Sequence, residues 1–179
     1  NHTISRLATS VVIDDIELYE VKSLALLSAD VKNILEKISL DKIIAIPNLD
    51  DVVKILDPDG LRIATFYIYD SYSEELASLR KKLKEKDVYQ EEIYNEVMRI
   101  EDEIRAELSS KLKPYSEAMT SALNALADVD INIAKSLQMK ELGLCFPTIS
   151  SKNISSYKGI FHPEVKSILE KEKREYQKV

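Results

Sequence analysis

Glycine, proline and cysteine are scarce in this chain, and each shortage narrows what it can be. Three Gly and five Pro in 179 residues leave few turn-formers for a many-stranded sandwich or barrel. They favour a few long helices. The single cysteine, Cys145, can make neither an internal disulfide nor a multi-thiolate metal site, so a reducing, cytoplasmic setting is the expectation. No run approaches the roughly 18 apolar residues of a membrane span, so no membrane partner is expected. Asn1-His2-Thr3-Ile4 brings no basic segment and no long apolar stretch, and does not read as a signal peptide. There is no basic excess either. With 25 Lys+Arg against 31 Asp+Glu the net charge is -6, which argues against strong DNA binding by this chain alone.

What is present is enough apolar material for a core, 45%, patterned for helices. From Asp14 to about Ile38, Ile16, Val21, Leu24, Leu27, Val31, Ile34, Leu35 and Ile38 recur at spacings of mostly three and four. That predicts a helix with one buried face, its first turn suited by Asp14 and Asp15. A shorter helix is expected from Asn48 as N-cap, then a turn at Asp57-Pro58-Asp59-Gly60. Leu61 to Asp70 is rich in β-branched and aromatic residues and reads as an extended connection or a short strand.

Ser71-Tyr72-Ser73-Glu74 offers a capping box for the next helix. That helix carries Leu76, Leu79 and Leu83 on one side and a solvated basic face of Arg80, Lys81, Lys82 and Lys84 on the other. The apolar phase slips over Glu85 to Tyr89, which leaves both a turn and a continuous helix open. Ile93, Val97, Ile100, Ile104, Leu108 and Leu112 then form one long stripe, which Pro114 must kink or restart. The helix resumes through Ala118, Ala122, Ala125, Leu126, Val129, Ile133 and Leu137, with Gly143 as the cap beyond its end. The fold expected is all-α: an elongated helical core with a long antiparallel helix pair projecting as an arm. Residues 1–72 form the first part of the core, 73–113 the arm, and 114–179 the second part.

The inventory of chemistry is thin. His2 and His162 are the only histidines, and His162, before Pro163, suits a turn or packing role better than that of a catalytic base. Glu91-Glu92 and Glu101-Asp102-Glu103 read as an exposed, solvated helix face. The glycines at 60, 143 and 159 lie far apart, with no following Lys-Ser/Thr pair, so no phosphate loop can be drawn. The tyrosines are not interleaved with basic residues and read as packing rather than base-stacking groups. No catalytic, cofactor-binding or metal-ligating residue is assigned, and the chain itself is not expected to be an enzyme.

Four segments in order nevertheless resemble the MutS family of DNA mismatch repair ATPases. Asp57-Pro58-Asp59-Gly60, then Tyr69-Asp70-Ser71-Tyr72-Ser73-Glu74-Glu75-Leu76 and Leu79-Arg80, resemble the start of that family's lever helices. Ser121 to Asp130 resembles the returning helix. Phe146-Pro147 is similar to the Arg-Pro that follows it, with Phe in place of Arg, and Gly159-Ile160-Phe161-His162-Pro163-Glu164-Val165 is similar to the G-R-H-P-V-L stretch before the ATPase domain. The likeness runs from about Ile13 to Val165. It implies the core and lever region, domain III, of a larger dimeric ATPase that binds mismatched or branched DNA, with ATP and Mg bound outside these residues.

Two features depart from the family. Between Lys86 and Glu91 there is no room for the clamp domain that touches DNA, and the acidic tip (Glu85, Lys86, Asp87, Glu91, Glu92) suits a solvated turn. The mismatch-reading Phe-x-Glu domain is missing as well. The reading that follows is a mechanical relay, non-catalytic by itself. Ile93, Val97, Ile100, Ile104 and Leu108 stiffen the arm, and Leu123, Leu126 and Val129 seat it on the core. The alternative is a free-standing helical scaffold that binds a partner helix through an exposed apolar stripe.

Overall fold

In a computed structural model, described here for residues 2–63, 65–84 and 90–176, the fold is all-α, with no strand among the described residues. The helices are α1 (His2–Ala8), α2 (Asp15–Lys37), α3 (Asp50–Leu56), α4 (Glu74–Leu83), α5 (Gln90–Leu112), α6 (Ser116–Leu142) and α7 (Pro163–Lys171). Short 3₁₀ turns precede α4 (Asp70–Tyr72) and join α5 to α6 (Lys113–Tyr115). The second of these holds Pro114, whose missing amide proton cannot continue the α-helical ladder. The described residues of the β-like sequence 61–69 form no strand, and Asp70 opens the 3₁₀ turn. The Glu85 to Tyr89 question lies outside the described residues.

The chain divides into two compact units, 1–130 and 131–179, with the boundary inside α6. The segment expected to form an arm, 73–113, falls in the first unit. There α1, α2, α3, α4, α5 and the start of α6 contribute to one core that includes Leu7, Leu18, Val52, Leu56, Leu76, Leu112 and Met119. Helix α4 packs on α5 as the predicted pair. From Val97 to Leu112 the α5 stripe also belongs to the core shared with α1–α3. Each fully buried Leu or Ile contributes about 1.5–3 kcal/mol. The stripe alone places Val97, Ile100, Ile104, Leu108 and Leu112 below one tenth exposure.

Helix α2 corrects the sequence reading. Its buried face consists of Glu17, Leu18, Val21, Lys22, Ala25, Ser28 and Leu35. Ile16, Leu27, Ile34 and Ile38, assigned to the core by their spacing, are 53–70% exposed. The helix carries two apolar lines, and the periodicity of the sequence merges them. Its start is as expected: Asp14 accepts from the Glu17 amide while Glu17 reaches back to the Asp14 amide, a reciprocal capping box. At α4 the cap is Ser73, which accepts from the Leu76 amide; Ser71 lies in the preceding 3₁₀ turn, so no box starts there. At α3 the Asn48 carboxamide accepts from Asp50, two residues on, while Leu49 is the cap residue.

The helix ends are less visible in the sequence than the starts. α6 stops as predicted at Gly143, with φ +65° and a Leu144 amide bonded back to the Met139 carbonyl at 2.9 Å. The same closure ends α1 at Ser10 (φ 63°), α2 at Ser39 (φ 58°) and α7 at Lys173 (φ 58°), none of them glycine. In each, the next amide bonds a carbonyl five residues back: Val11 to Arg6, Leu40 to Leu35, Arg174 to Leu169.

The second unit is built differently. Phe146, Ile149, Ile154 and Tyr157 are 72–96% exposed, and among its described residues no hydrophobic side chain is buried. A small cluster surrounds the start of α7. Phe161 stands edge-on to Tyr176, and the Lys166 ammonium lies 4.8 Å from the Phe161 ring centre.

Candidate functional site

The few reactive side chains sit on separate segments of the chain. His162 is the N-cap of α7, its Nδ1 accepting from the Val165 amide at 3.4 Å, while its own amide donates to the Tyr176 hydroxyl at 2.9 Å. His2 is exposed on α1 and Cys145 is exposed beyond α6. No group of three His, Cys, Asp or Glu side chains capable of holding a metal exists among the described residues. Glu91 and Glu92 are exposed, as expected.

Polar order is concentrated instead at two structural nodes in the first unit. The first is fully buried. Lys22, on the inner face of α2, points its ammonium at the Asp57 carboxylate (3.0 Å), the Tyr69 hydroxyl (2.9 Å) and the Thr65 carbonyl (3.3 Å). Both charged side chains are only 1% exposed. The second Asp57 oxygen accepts from the Arg62 amide at 2.8 Å. Burial opposes the charge on Lys22, but the bonds to Tyr69 and Asp57 outweigh it and hold the ammonium above its ordinary value. Burial opposes Asp57 in the same way, and the Arg62 amide and Lys22 pull its carboxyl below the usual range.

Tyr69 adds its ring to Phe66, Tyr67 and Tyr72, and Tyr72 donates to the Ile55 carbonyl at 2.8 Å. Burial, followed by the neighbouring Tyr69 and Asp57, raises the Tyr72 hydroxyl far above an ordinary tyrosine. The node fastens the irregular 57–69 connection to α2 and α3. Sequence reasoning found its turn but not its lysine. A lysine on a buried helix face is rare unless paired, and the partner lies 35 positions away.

The second node is a chain of ion pairs. Arg105 grips Asp15 at the start of α2 (2.8 and 3.1 Å) and approaches Glu101 and Asp102 on its own helix. Glu101 also binds Arg80 of α4 at 2.8 Å. Arg80 continues to Asp70 (2.5 Å) and to the Ile68 carbonyl (2.8 Å). Hydrogen bonding to Asp15 raises the Arg105 guanidinium, and Glu101 with Asp70 raises that of Arg80 despite its partial burial. Two sequence readings are thereby corrected. Arg80 is not part of a solvated basic face, where Lys81, Lys82 and Lys84 do stand, and Glu101 is not a solvated carboxylate. The path Asp15–Arg105–Glu101–Arg80–Asp70 joins α2, α5, α4 and the turn before α4.

Both nodes are satisfied: among the described residues no buried side-chain nitrogen or oxygen lacks a partner. They do what fixed polar networks do, which is hold elements in one register. Two surface grooves lie in the first unit. One of about 430 Å³ between α1 and the start of α6 is lined by Ile4, Ala8, Ser116, Glu117 and Thr120 among others. Another of about 290 Å³ beside Ile16 and Tyr19 is walled by Phe66.

No family model matches the chain, and comparison with curated proteins and with solved structures returned no match.

Proposed function

We propose that this chain is the core and lever region of a MutS-like DNA repair ATPase, a mechanical relay that couples a downstream ATPase domain to DNA. The reading rests on four sequence segments in family order, from Asp57 to Val165. The observation that best supports a relay is the clamping of α2, α4 and α5 by one apolar core and one run of ion pairs from Asp15 to Asp70. Coupling over a distance needs packed elements of fixed register more than it needs a reactive group. On this reading the chain is not an enzyme. The parent protein binds ATP and Mg, acts on DNA as a homodimer, and resides in the cytoplasm. With no clamp between Lys86 and Glu91, its DNA need not be mismatched duplex.

The test is the coding sequence downstream of Val179. A strand followed by G-x-x-x-x-G-K-[ST] and a helix supports the relay. A continuation without a phosphate loop removes it. The alternative, a helical scaffold that binds a partner helix, is favoured by one observation, the exposed apolar line of Leu27, Ile34 and Ile38 on α2. Weak binding of duplex DNA by the chain at low salt agrees with either reading; tight, salt-sensitive binding contradicts both.

A further inference from the structure

Helix α2 presents apolar side chains on two faces. Its outer line runs Ile16, Glu20, Ser23, Leu27, Val31, Ile34 and Ile38, at spacings of three and four. Ile16 is 70% exposed, Leu27 53%, Ile34 55% and Ile38 56%, while Val31 is half-buried. Those four large exposed residues stand on one line about 33 Å long, at 1.5 Å per residue. Such a line on a water-soluble surface marks a contact.

We propose that the outer face of α2 binds the same face of a second copy of this chain, antiparallel, on a two-fold axis through Leu27. Three observations choose this occupant. First, the two ends and the centre of the line match themselves when it is reversed. Leu27 stands eleven residues from Ile16 and eleven from Ile38, so the axis sets Leu27 on Leu27, Ile16 on Ile38, and small Ser23 against Val31. Eleven residues are close to three helical turns, so the matching pairs stay on the same line.

Second, the charges fix the direction. Glu20, which accepts from the Thr3 hydroxyl at 2.7 Å, is the one carboxylate within the line, and the first turns of α2 are acidic (Asp14, Asp15, Glu20). A parallel pair would set Glu20 on Glu20 and the acidic turns together. The antiparallel pair sets Glu20 opposite Ile34, one turn from the exposed Lys37 of the other copy. It also opposes the helix dipoles. Third, a C2 contact needs the same patch on both copies, and this patch meets that requirement without a second surface. A single helix face is a small interface, below the standard size, so a weak, concentration-dependent dimer is expected. The inference does not depend on the relay reading.

The test uses the full chain. Sedimentation equilibrium over rising concentration should show mass moving from 20.4 kDa towards twice that value. Ile34→Glu should hold it at the monomer, and at concentrations where both proteins are monomers the two should melt alike, because Ile34 is exposed in the single copy. Position is read by cross-linking on a Cys145→Ser background, which removes the only native thiol. A short bismaleimide suits helix axes 8–10 Å apart, which a disulfide would not span reliably.

Leu27→Cys should cross-link to itself. Ile16→Cys alone should not, since its copies would lie about 33 Å apart, but a mixture of Ile16→Cys and Ile38→Cys should give a mixed dimer. A monomer at every concentration overturns the proposal and leaves the face to another partner. Self-linking of Ile16→Cys overturns it in favour of a parallel pair. A dimer that leaves Leu27→Cys unlinked overturns it by placing the contact elsewhere, for instance on the exposed side chains of the second unit.

Discussion

The two units of this chain put their apolar residues to opposite ends. In the first, residues 1–130, the apolar side chains of α1, α2, α3, α4, α5 and early α6 converge on one core, and two polar nodes fix the register of the surrounding segments. In the second, residues 131–179, Ile149 is 96% and Phe146 80% exposed, and order comes from caps and one aromatic cluster. Burial is the dominant favourable term in folding. The first unit therefore carries the stability of the chain, and the second contributes little through its own packing.

The most severe way to break that contrast is a charge in the α5 stripe. Ile104→Asp should cost more than about 4 kcal/mol, enough to abolish cooperative melting of the first unit, because an unpaired carboxylate would sit among core side chains. The equivalent change in the second unit, Ile149→Asp, should move the melting temperature by less than a degree or so; circular dichroism measures both. An Ile149→Asp variant that melts far earlier would place a core where none is described.

Next is the buried ion pair. Lys22→Met leaves Asp57 charged and dry and should cost about 3–5 kcal/mol in urea unfolding. The double variant Lys22→Met/Asp57→Leu should cost less than the sum of the singles, since no orphan charge remains. The pair also sets a pH dependence. Asp57 is held below the ordinary carboxylate range in the folded state, so its contribution is complete above that range. It is lost as pH falls through the lowered value. Lys22 is held above its ordinary value, so its contribution is complete below that value and fades at the alkaline end. Lys22→Met/Asp57→Leu should flatten both limbs of the stability-against-pH curve.

Smaller effects sharpen the comparison. Arg80→Ala removes the link between α4, α5 and Asp70 and should cost about 1–2 kcal/mol, read as earlier unfolding. Its neighbour Lys81→Ala should be nearly silent, which separates an inward arginine from an outward lysine. Ser39→Gly should instead stabilise by about 0.5–1 kcal/mol, because Ser39 holds the left-handed conformation that glycine adopts without penalty.

How much could be read beforehand follows the same division. The α5 stripe was legible because one face is buried and its period is unbroken until Pro114. The all-α class, the Asp57–Gly60 turn, the α2 start and the Gly143 stop were legible because each rests on local chemistry. The inner face of α2 was not, since two apolar lines on one helix leave no single phase to read. Nor was the role of Lys22, Arg80 or Glu101. Each is an ordinary surface residue by type, and only partners 35, 10 and 21 positions away draw them inward. The helix ends at Ser10, Ser39 and Lys173 escaped for a third reason: a left-handed residue without glycine carries no sequence mark.

Amide hydrogen exchange, followed segment by segment on the intact chain, tests the central contrast most directly. The account predicts that the amides of Val97 to Leu112 and Leu18 to Ala25 exchange only through global unfolding, while those of 144–160 exchange near the rate of an unstructured chain. Equal protection in the two units, or slower exchange in 144–160, would contradict it.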